Sequence, residues 1–206
     1  MTYPLDTVLS HPDNQPPLAF TQAQLEWLPW LAPLPAEDFN ARHQAGLVDA
    51  ARIKSPYFRL LARDPDTLAA RTKTDKDIFY NPEAGLPRAE RELAAAATSR
   101  HNGCIYCASV HARFASHFSH RSDDLQRLLD TGTGADLGDE RWNAIVDASV
   151  ALSDTPSAFG EAHVQRLRAA GLDDAAISDA IHGAAFFNWA NRLMLSLGEP
   201  TTAAAS

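Results

Sequence analysis

Cysteine is scarce in this chain: two residues in 206. A chain of that length buries a full core without disulfide staples, and it reads as one domain with at most an appended segment. Basic residues are outnumbered, 18 Lys and Arg against 26 Asp and Glu, for a formal net charge of -8. That balance favours solubility and offers no phosphate footprint, so neither nucleic acid nor an anionic membrane is expected as a partner. No apolar run approaches the roughly 20 residues of a membrane span. The first residues, Met1 to Asp6, lack the basic and apolar regions of a signal peptide. The expected location is therefore the cytoplasm, where a close cysteine pair points to redox or metal chemistry rather than to a staple. Strand patterning is missing too: there is no sustained period-two alternation and no Asn-Gly turn between apolar runs.

What remains is helical periodicity punctuated by proline and glycine. Pro4, Pro12, Pro16 and Pro17 make residues 1–20 an extended arm. Thr21 reads as the N-cap of a helix over Gln22–Leu31, ended by Pro33 and Pro35. The pattern predicts further helices over Glu37–Ile53, Pro56–Arg63 and Pro65–Tyr80. Another opens at Pro87 and runs to about His101, and one runs from Cys104 to about Phe118. The last four cover Arg121–Asp130, Glu140–Leu152, Phe159–Ala170 and Asp173–Leu197. Gly132, Gly134 and Gly138 follow a helix rather than a strand, so they read as a loop and not as a phosphate cradle. The expected fold class is all-α, a helical bundle. Its expected parts are the arm 1–20, an N-terminal helical segment 21–86 packed on the core, the core 87–198, and a disordered tail 199–206.

Both cysteines lie in one Cys104-Ile-Tyr-Cys107 motif, with His111 one helical turn later and Glu92 twelve residues before. On a helix, Cys104, Cys107, His111, Phe114 and Phe118 share one stripe, expected to face the core. The i, i+3 spacing lets the two sulfurs form a reversible disulfide near a helix N-terminus, whose dipole and free N–H groups favour thiolate. His111 is within reach of the Cys107 proton, directly or through a water. Glu92 sits on the preceding helix, which Asn102-Gly103 can fold back antiparallel, so that it orients His111 or takes its proton. Zinc held by the cysteines, His111 and His101 is an alternative use of these residues, although no second ligand pair exists. A chance pair of buried cysteines is another. His117 and His120 read as surface or helix-end groups, His182 as a satisfied core histidine, and Asn188 as a buried amide bonded to another helix. Trp27, Trp30 and Phe58 read as core or subunit contacts.

The spacing Glu92-x11-Cys104-x-x-Cys107-x3-His111 resembles the signature of the alkyl hydroperoxidase D group of the carboxymuconolactone decarboxylase superfamily. The resemblance covers roughly Pro87–Gly198 and includes Phe187-Asn188-Trp189-Ala190-Asn191-Arg192, which is similar to the family's closing helix. The longer amino-terminal half looks like the subgroup of peroxidase-related proteins. True lactone decarboxylases lack the cysteine pair, so the likeness is to the redox branch. It implies an alkyl hydroperoxidase D-like bundle and a thiol-dependent peroxidase. Cys107 would attack the peroxide, Cys104 would resolve it as a disulfide, and Glu92 and His111 would relay the proton through a water. Position alone, nearer the helix N-terminus, would make Cys104 the lower-pKa thiol. The resemblance implies no bound organic cofactor and no metal. The partners it implies are a hydroperoxide, a dithiol or thioredoxin-like reductant, and further copies of the chain in a homotrimer or hexamer. A non-peroxidase dithiol oxidoreductase, a redox sensor and a zinc-binding structural protein are the other functions this pattern allows. One position departs from the group: where histidine often precedes the second cysteine, this chain has Tyr106, whose phenol, with a pKa near 10, is a poor base.

Overall fold

The computed structural model describes residues 8–83 and 85–202, so residues 1–7 of the expected arm and 203–206 of the expected tail lie outside it. Among the described residues the chain is predominantly α-helical. The helices are α1 (Ala41–Leu47), α2 (Pro56–Leu61), α3 (Pro65–Tyr80), α4 (Arg88–His101), α5 (Ile105–Ser119), α6 (Ser122–Thr131), α7 (Glu140–Ser153), α8 (Glu161–Ala169) and α9 (Asp174–Leu197). No helix among them is long and apolar enough to cross a membrane.

The bundle is built around α4. Its residues Glu90 to Ser99 are all buried, and the run Ala94–Ala97 presents nothing larger than a methyl group to its neighbours. Small side chains let helices approach closely, and α5, α7 and α9 all pack against α4. One core layer, with Leu93, Leu125, Leu128, Leu129, Leu137, Trp142, Ile145 and Leu167, fills the space on one side. Burying each of these large side chains contributes about 1.5–3 kcal/mol. A second layer contains both cysteines together with Trp27, Tyr57, Leu60, Phe79, Phe187 and Met194. Trp27, Tyr57, Leu60 and Phe79 of that layer come from the segment before residue 86. The amino-terminal half thus walls the cysteine face.

Helices α3 to α9 lie within one or two residues of their expected positions. The exceptions lie before residue 55 and after residue 197. Gln22–Leu31, expected as a helix, contains instead the strand β1 (Leu25–Pro29), which pairs antiparallel with β2 (Gly198–Thr202). Leu25, Trp27 and Pro29 alternate inward along β1, and tertiary burial of that face overrides the helical pattern. Thr21 caps no helix, and its hydroxyl accepts from the Ala23 N–H in a local turn. Residues 199–202, expected within a disordered tail, are the body of β2. Part of the expected arm is fastened to the same ribbon. The Leu9 N–H donates to the Trp30 carbonyl at 2.8 Å, and Asn14 Nδ2 donates to Glu199 Oε1 at 2.9 Å. The single helix expected over Glu37–Ile53 is broken, because Asn40 and Asp49 cap new starts. Asn40 accepts from the N–H groups of Arg42 and His43, and Asp49 accepts from that of Ala51.

Two glycines test this packing in opposite directions. A Cβ on Gly198 would overlap the Leu28 carbonyl and the Trp27 indole, whereas one on Gly183 would meet the Arg91 carbonyl at 3.6 Å and Ala94 Cβ at 3.7 Å, which is ordinary contact. Gly198→Ala is expected to lower stability by about 1–3 kcal/mol through overpacking. Gly183→Ala, in the middle of α9, is expected to raise it by about 0.5–1 kcal/mol. Urea unfolding of the two variants and the parent checks both. A neutral Gly198→Ala would mean that the ribbon does not close against Trp27.

Candidate active site

Helix α4 ends in three residues. Asn102 caps it, Gly103 takes a left-handed φ of 80°, and Cys104 begins the next helix as its N-cap. A φ of that sign suits glycine and lets the chain reverse at once. The reversal brings Glu92 of α4 opposite His111 of α5. The turn is pinned to α9 by amides: Asn102 Nδ2 donates to Asn188 Oδ1 at 3.0 Å and to Asn191 Oδ1 at 3.1 Å, while Asn191 Nδ2 donates to Ser99 Oγ at 3.0 Å. Asn188 therefore makes the inter-element bond expected of it. Asn191, buried completely, is the more enclosed of the two amides.

Cys104 and Cys107 are joined by a disulfide, and both are buried. The Cys107 N–H donates to Cys104 Sγ at 3.4 Å, so Cys104 occupies the capping position where a helix N-terminus favours thiolate. Glu92 is 1% exposed and is held at both carboxylate oxygens. Arg88 Nε donates to Oε1 at 2.6 Å, and His111 Nδ1 lies 2.6 Å from Oε2. With the carboxylate as acceptor, Nδ1 is the donor, which leaves His111 Nε2 as the nitrogen free to take a proton. The imidazole is wedged between aromatic rings, 3.9 Å from the centroid of Phe187 and 5.5 Å from that of Phe79.

The two cysteines line different spaces. Cys107, Glu92 and His111 share a cavity of about 190 Å³ with Tyr57, Phe58, Arg71, Asp75, Phe79, Arg88, Tyr106, Phe114 and Phe187. Cys104 lines a separate cleft with Trp27, Gly103, Tyr106, Met194 and Pro200. Tyr106 borders both, and burial pushes its phenol above its ordinary value. It is thus a poorer base than an exposed tyrosine and remains a hydrogen-bond donor.

Several sequence expectations are corrected here. Phe114 and Phe118 share the cysteine stripe but are 37% and 45% exposed. The stripe is buried at Cys104, Cys107 and His111 and opens at Phe114 and Phe118, and Arg88 lies over the Phe118 ring at 5.0 Å. His182, expected in the core, is exposed on α9. His101, offered as a zinc ligand, pairs with Asp154 at 2.9 Å, and among the described residues no group of three or more His, Cys, Asp or Glu could hold a metal. Trp27 and Phe58 pack in or against the cysteine layer, whereas Trp30 is partly open. Sequence reasoning missed Arg88, although Arg88-x-x-x-Glu92 is the i, i+4 spacing of a helix ion pair. It also missed Tyr57 and Arg71, which reach the cavity from α2 and α3 and carry no local signal.

The carboxymuconolactone decarboxylase family model matches residues 65–149, a stretch that includes all four motif residues. No curated protein matches the chain. Among solved structures, the fold is similar to the alkylhydroperoxidase AhpD core of a peroxidase-related protein from Ralstonia eutropha JMP134, 23% identical, with a TM-score of 0.64 over 80% of this chain and 84% of that one. It is also similar to a peroxidase-related protein from Silicibacter sp. TM1040, 24% identical, TM-score 0.65, over 82% and 87% of the two chains. The debrominase Bmp8 shares the fold at 17% identity, TM-score 0.65, over 80% and 88%.

Burial makes Glu92 a structural residue as well as a candidate relay. Removing one partner of a buried, hydrogen-bonded pair costs about 3–5 kcal/mol, because the other is left uncompensated. Glu92→Ala is therefore expected to lose about 3 kcal/mol or more of stability, and Glu92→Gln, which keeps an acceptor and the volume, distinctly less. Denaturant midpoints of the two variants decide it. A loss under about 1 kcal/mol for Glu92→Ala would show that Arg88 and His111 do not depend on the carboxylate.

Proposed function

We propose that this chain, a member of the carboxymuconolactone decarboxylase superfamily with the alkyl hydroperoxidase D core, is a thiol-dependent peroxidase that reduces organic hydroperoxides through a Cys104–Cys107 dithiol–disulfide cycle. The observation that carries this reading is that the two cysteines line different spaces. Cys107 shares its cavity with a histidine that a buried carboxylate orients, and Cys104 opens to a separate cleft. One sulfur has acid–base help, and the other has a route to a reductant.

In the reduced protein, His111 Nε2 takes the Cys107 proton, directly or through a water. The Cys107 thiolate attacks the distal peroxide oxygen. An S–O bond forms, the O–O bond breaks, and the alcohol leaves with the proton that His111 had taken. Cys104, its thiolate favoured by the helix N-terminus, then attacks Cys107 Sγ. An S–S bond forms, the S–O bond breaks, and the oxygen leaves as water with the proton released by Cys104. The resulting disulfide is the state of the present structure. An external dithiol closes the cycle. Its first thiolate attacks Cys104 Sγ from the second cleft, Cys107 departs as thiolate and recovers a proton through His111, and the donor's second thiol cleaves the mixed disulfide. The sum is one hydroperoxide and one dithiol converted to alcohol, water and a donor disulfide.

The test is stopped-flow oxidation of the reduced protein by cumene hydroperoxide, followed by turnover with a supplied dithiol. His111→Ala is expected to slow the first step roughly 100- to 10,000-fold. Cys107→Ser should not consume peroxide, and Cys104→Ser should consume one equivalent and stall. If Cys104→Ser blocks the first oxidation, the roles are reversed. If the parent resists hydroperoxides yet exchanges rapidly with dithiols, it is a dithiol oxidoreductase and not a peroxidase.

A further inference from the structure

The cavity beside Cys107 has a second polar end that the peroxidase cycle does not use. Arg71 of α3 has a side chain 7% exposed, and Tyr57 of α2 is 8% exposed. Both line the cavity; Arg71 Nε, Arg71 Nη1 and the Tyr57 hydroxyl are buried and make no close hydrogen bond, and the Arg71 guanidinium lies near enough to the Tyr57 hydroxyl to interact with it. Buried donors left unpaired cost free energy, so a site that keeps three of them together is built for an acceptor. The nearest carboxylate does not supply it. Asp75 Oδ2 lies 3.4 Å from Arg71 Nη1 but accepts its hydrogen bond from Arg52 Nη2 at 3.1 Å. Two guanidinium groups thus share one carboxylate, Asp75, which lines the cavity beside Arg71, while Arg52 lies outside the lining. At the other end Arg88 is matched by Glu92. Phe58 and Phe186 stack against Arg71 at 5.3 Å each and shield it from solvent. Between the two ends the walls are Phe79, Val110, Phe114, Phe187 and Met194.

We infer that this cavity takes a small hydroperoxide with an apolar body and a carboxylate, the carboxylate held by Arg71 and the Tyr57 hydroxyl and the peroxide presented to Cys107. This deepens the peroxidase reading and rests on it for the reaction, though not for the binding. A charged acceptor suits a guanidinium with open N–H groups better than a neutral one does. Burial pushes the Tyr57 phenol above its ordinary value, so it remains a donor at neutral pH.

The experiment compares cumene hydroperoxide bearing a para carboxylate with the same molecule as its para carboxamide, using the whole reduced chain. The parent should be oxidised faster by the acid, by about tenfold or more. Arg71→Gln should bring the ratio of acid to amide close to one, Arg71→Lys should keep part of it, and Tyr57→Phe, which preserves the packed ring, should lower it. A second readout stands apart from peroxide chemistry. Para-isopropylbenzoate should protect reduced Cys107 from alkylation by iodoacetamide, para-isopropylbenzamide should not, and Arg71→Gln should lose the protection. Equal protection by acid and amide, or a preference unaltered in both Arg71→Gln and Tyr57→Phe, would overturn the anion site. Protection without oxidation by either hydroperoxide would leave the anion site standing and remove the peroxidase instead.

Discussion

A buried carboxylate must be satisfied at both oxygens, and the way Glu92 is satisfied determines how the rest of the site is arranged. Arg88 holds one oxygen from one turn earlier on α4, and His111 meets the other from α5. The second contact requires α5 to lie back along α4. That in turn requires the chain to reverse within Asn102-Gly103, which places Cys104 at a helix N-terminus and Cys107 one turn below His111. The amides of Asn188 and Asn191 lock that reversal to α9. The acid–base pair, the helix start and the disulfide are therefore consequences of one buried charge that had to be paired.

The amino-terminal half converts this constellation into an enclosed site. Without α2, α3 and β1, the cysteine face of α5 would lack Trp27, Tyr57 and Phe79, and Cys107 would lie open. Enclosure strengthens each electrostatic contact inside, because water no longer competes for the partners. It also sets the two cysteines against different spaces. The cavity of Cys107 is lined by Phe114 and Arg88, and the cleft of Cys104 by Gly103 and Pro200. Tyr106 lines both spaces, which gives a structural reason for a bulky, proton-holding residue at this position.

Much of this was legible in the sequence, and the remainder was hidden for physical reasons. Proline, glycine and capping residues mark helices α3 to α9 closely, because those signals act within a few residues of the element they start or end. The strand over Leu25–Pro29 left no such mark, since it exists only through pairing with Gly198–Thr202 at the far end of the described chain. The spacing of Glu92, Cys104, Cys107 and His111 identified the residues that come together, because they lie on two consecutive helices with one short turn. Phe114 and Phe118 were misread as core because a helical stripe reports which residues share a face, not whether that face meets protein or a cavity. Arg71 and Tyr57 carry no periodic or spacing signal at all. Their place in the site follows from the packing of α2 and α3 onto α5, and only tertiary structure displays their unpaired donors.

The central claim is that Cys107, and not Cys104, is the sulfur that meets the electrophile. Its most direct test is to locate the first oxidation product. The single-cysteine variants Cys104→Ser and Cys107→Ser would each be treated with one equivalent of organic hydroperoxide in the presence of dimedone, and the adduct mapped by peptide mass spectrometry. The account predicts a dimedone adduct on Cys107 in Cys104→Ser and none on Cys104 in Cys107→Ser. An adduct on Cys104 with Cys107 unlabelled would contradict it, and would place the first step in the cleft that holds neither Glu92 nor His111.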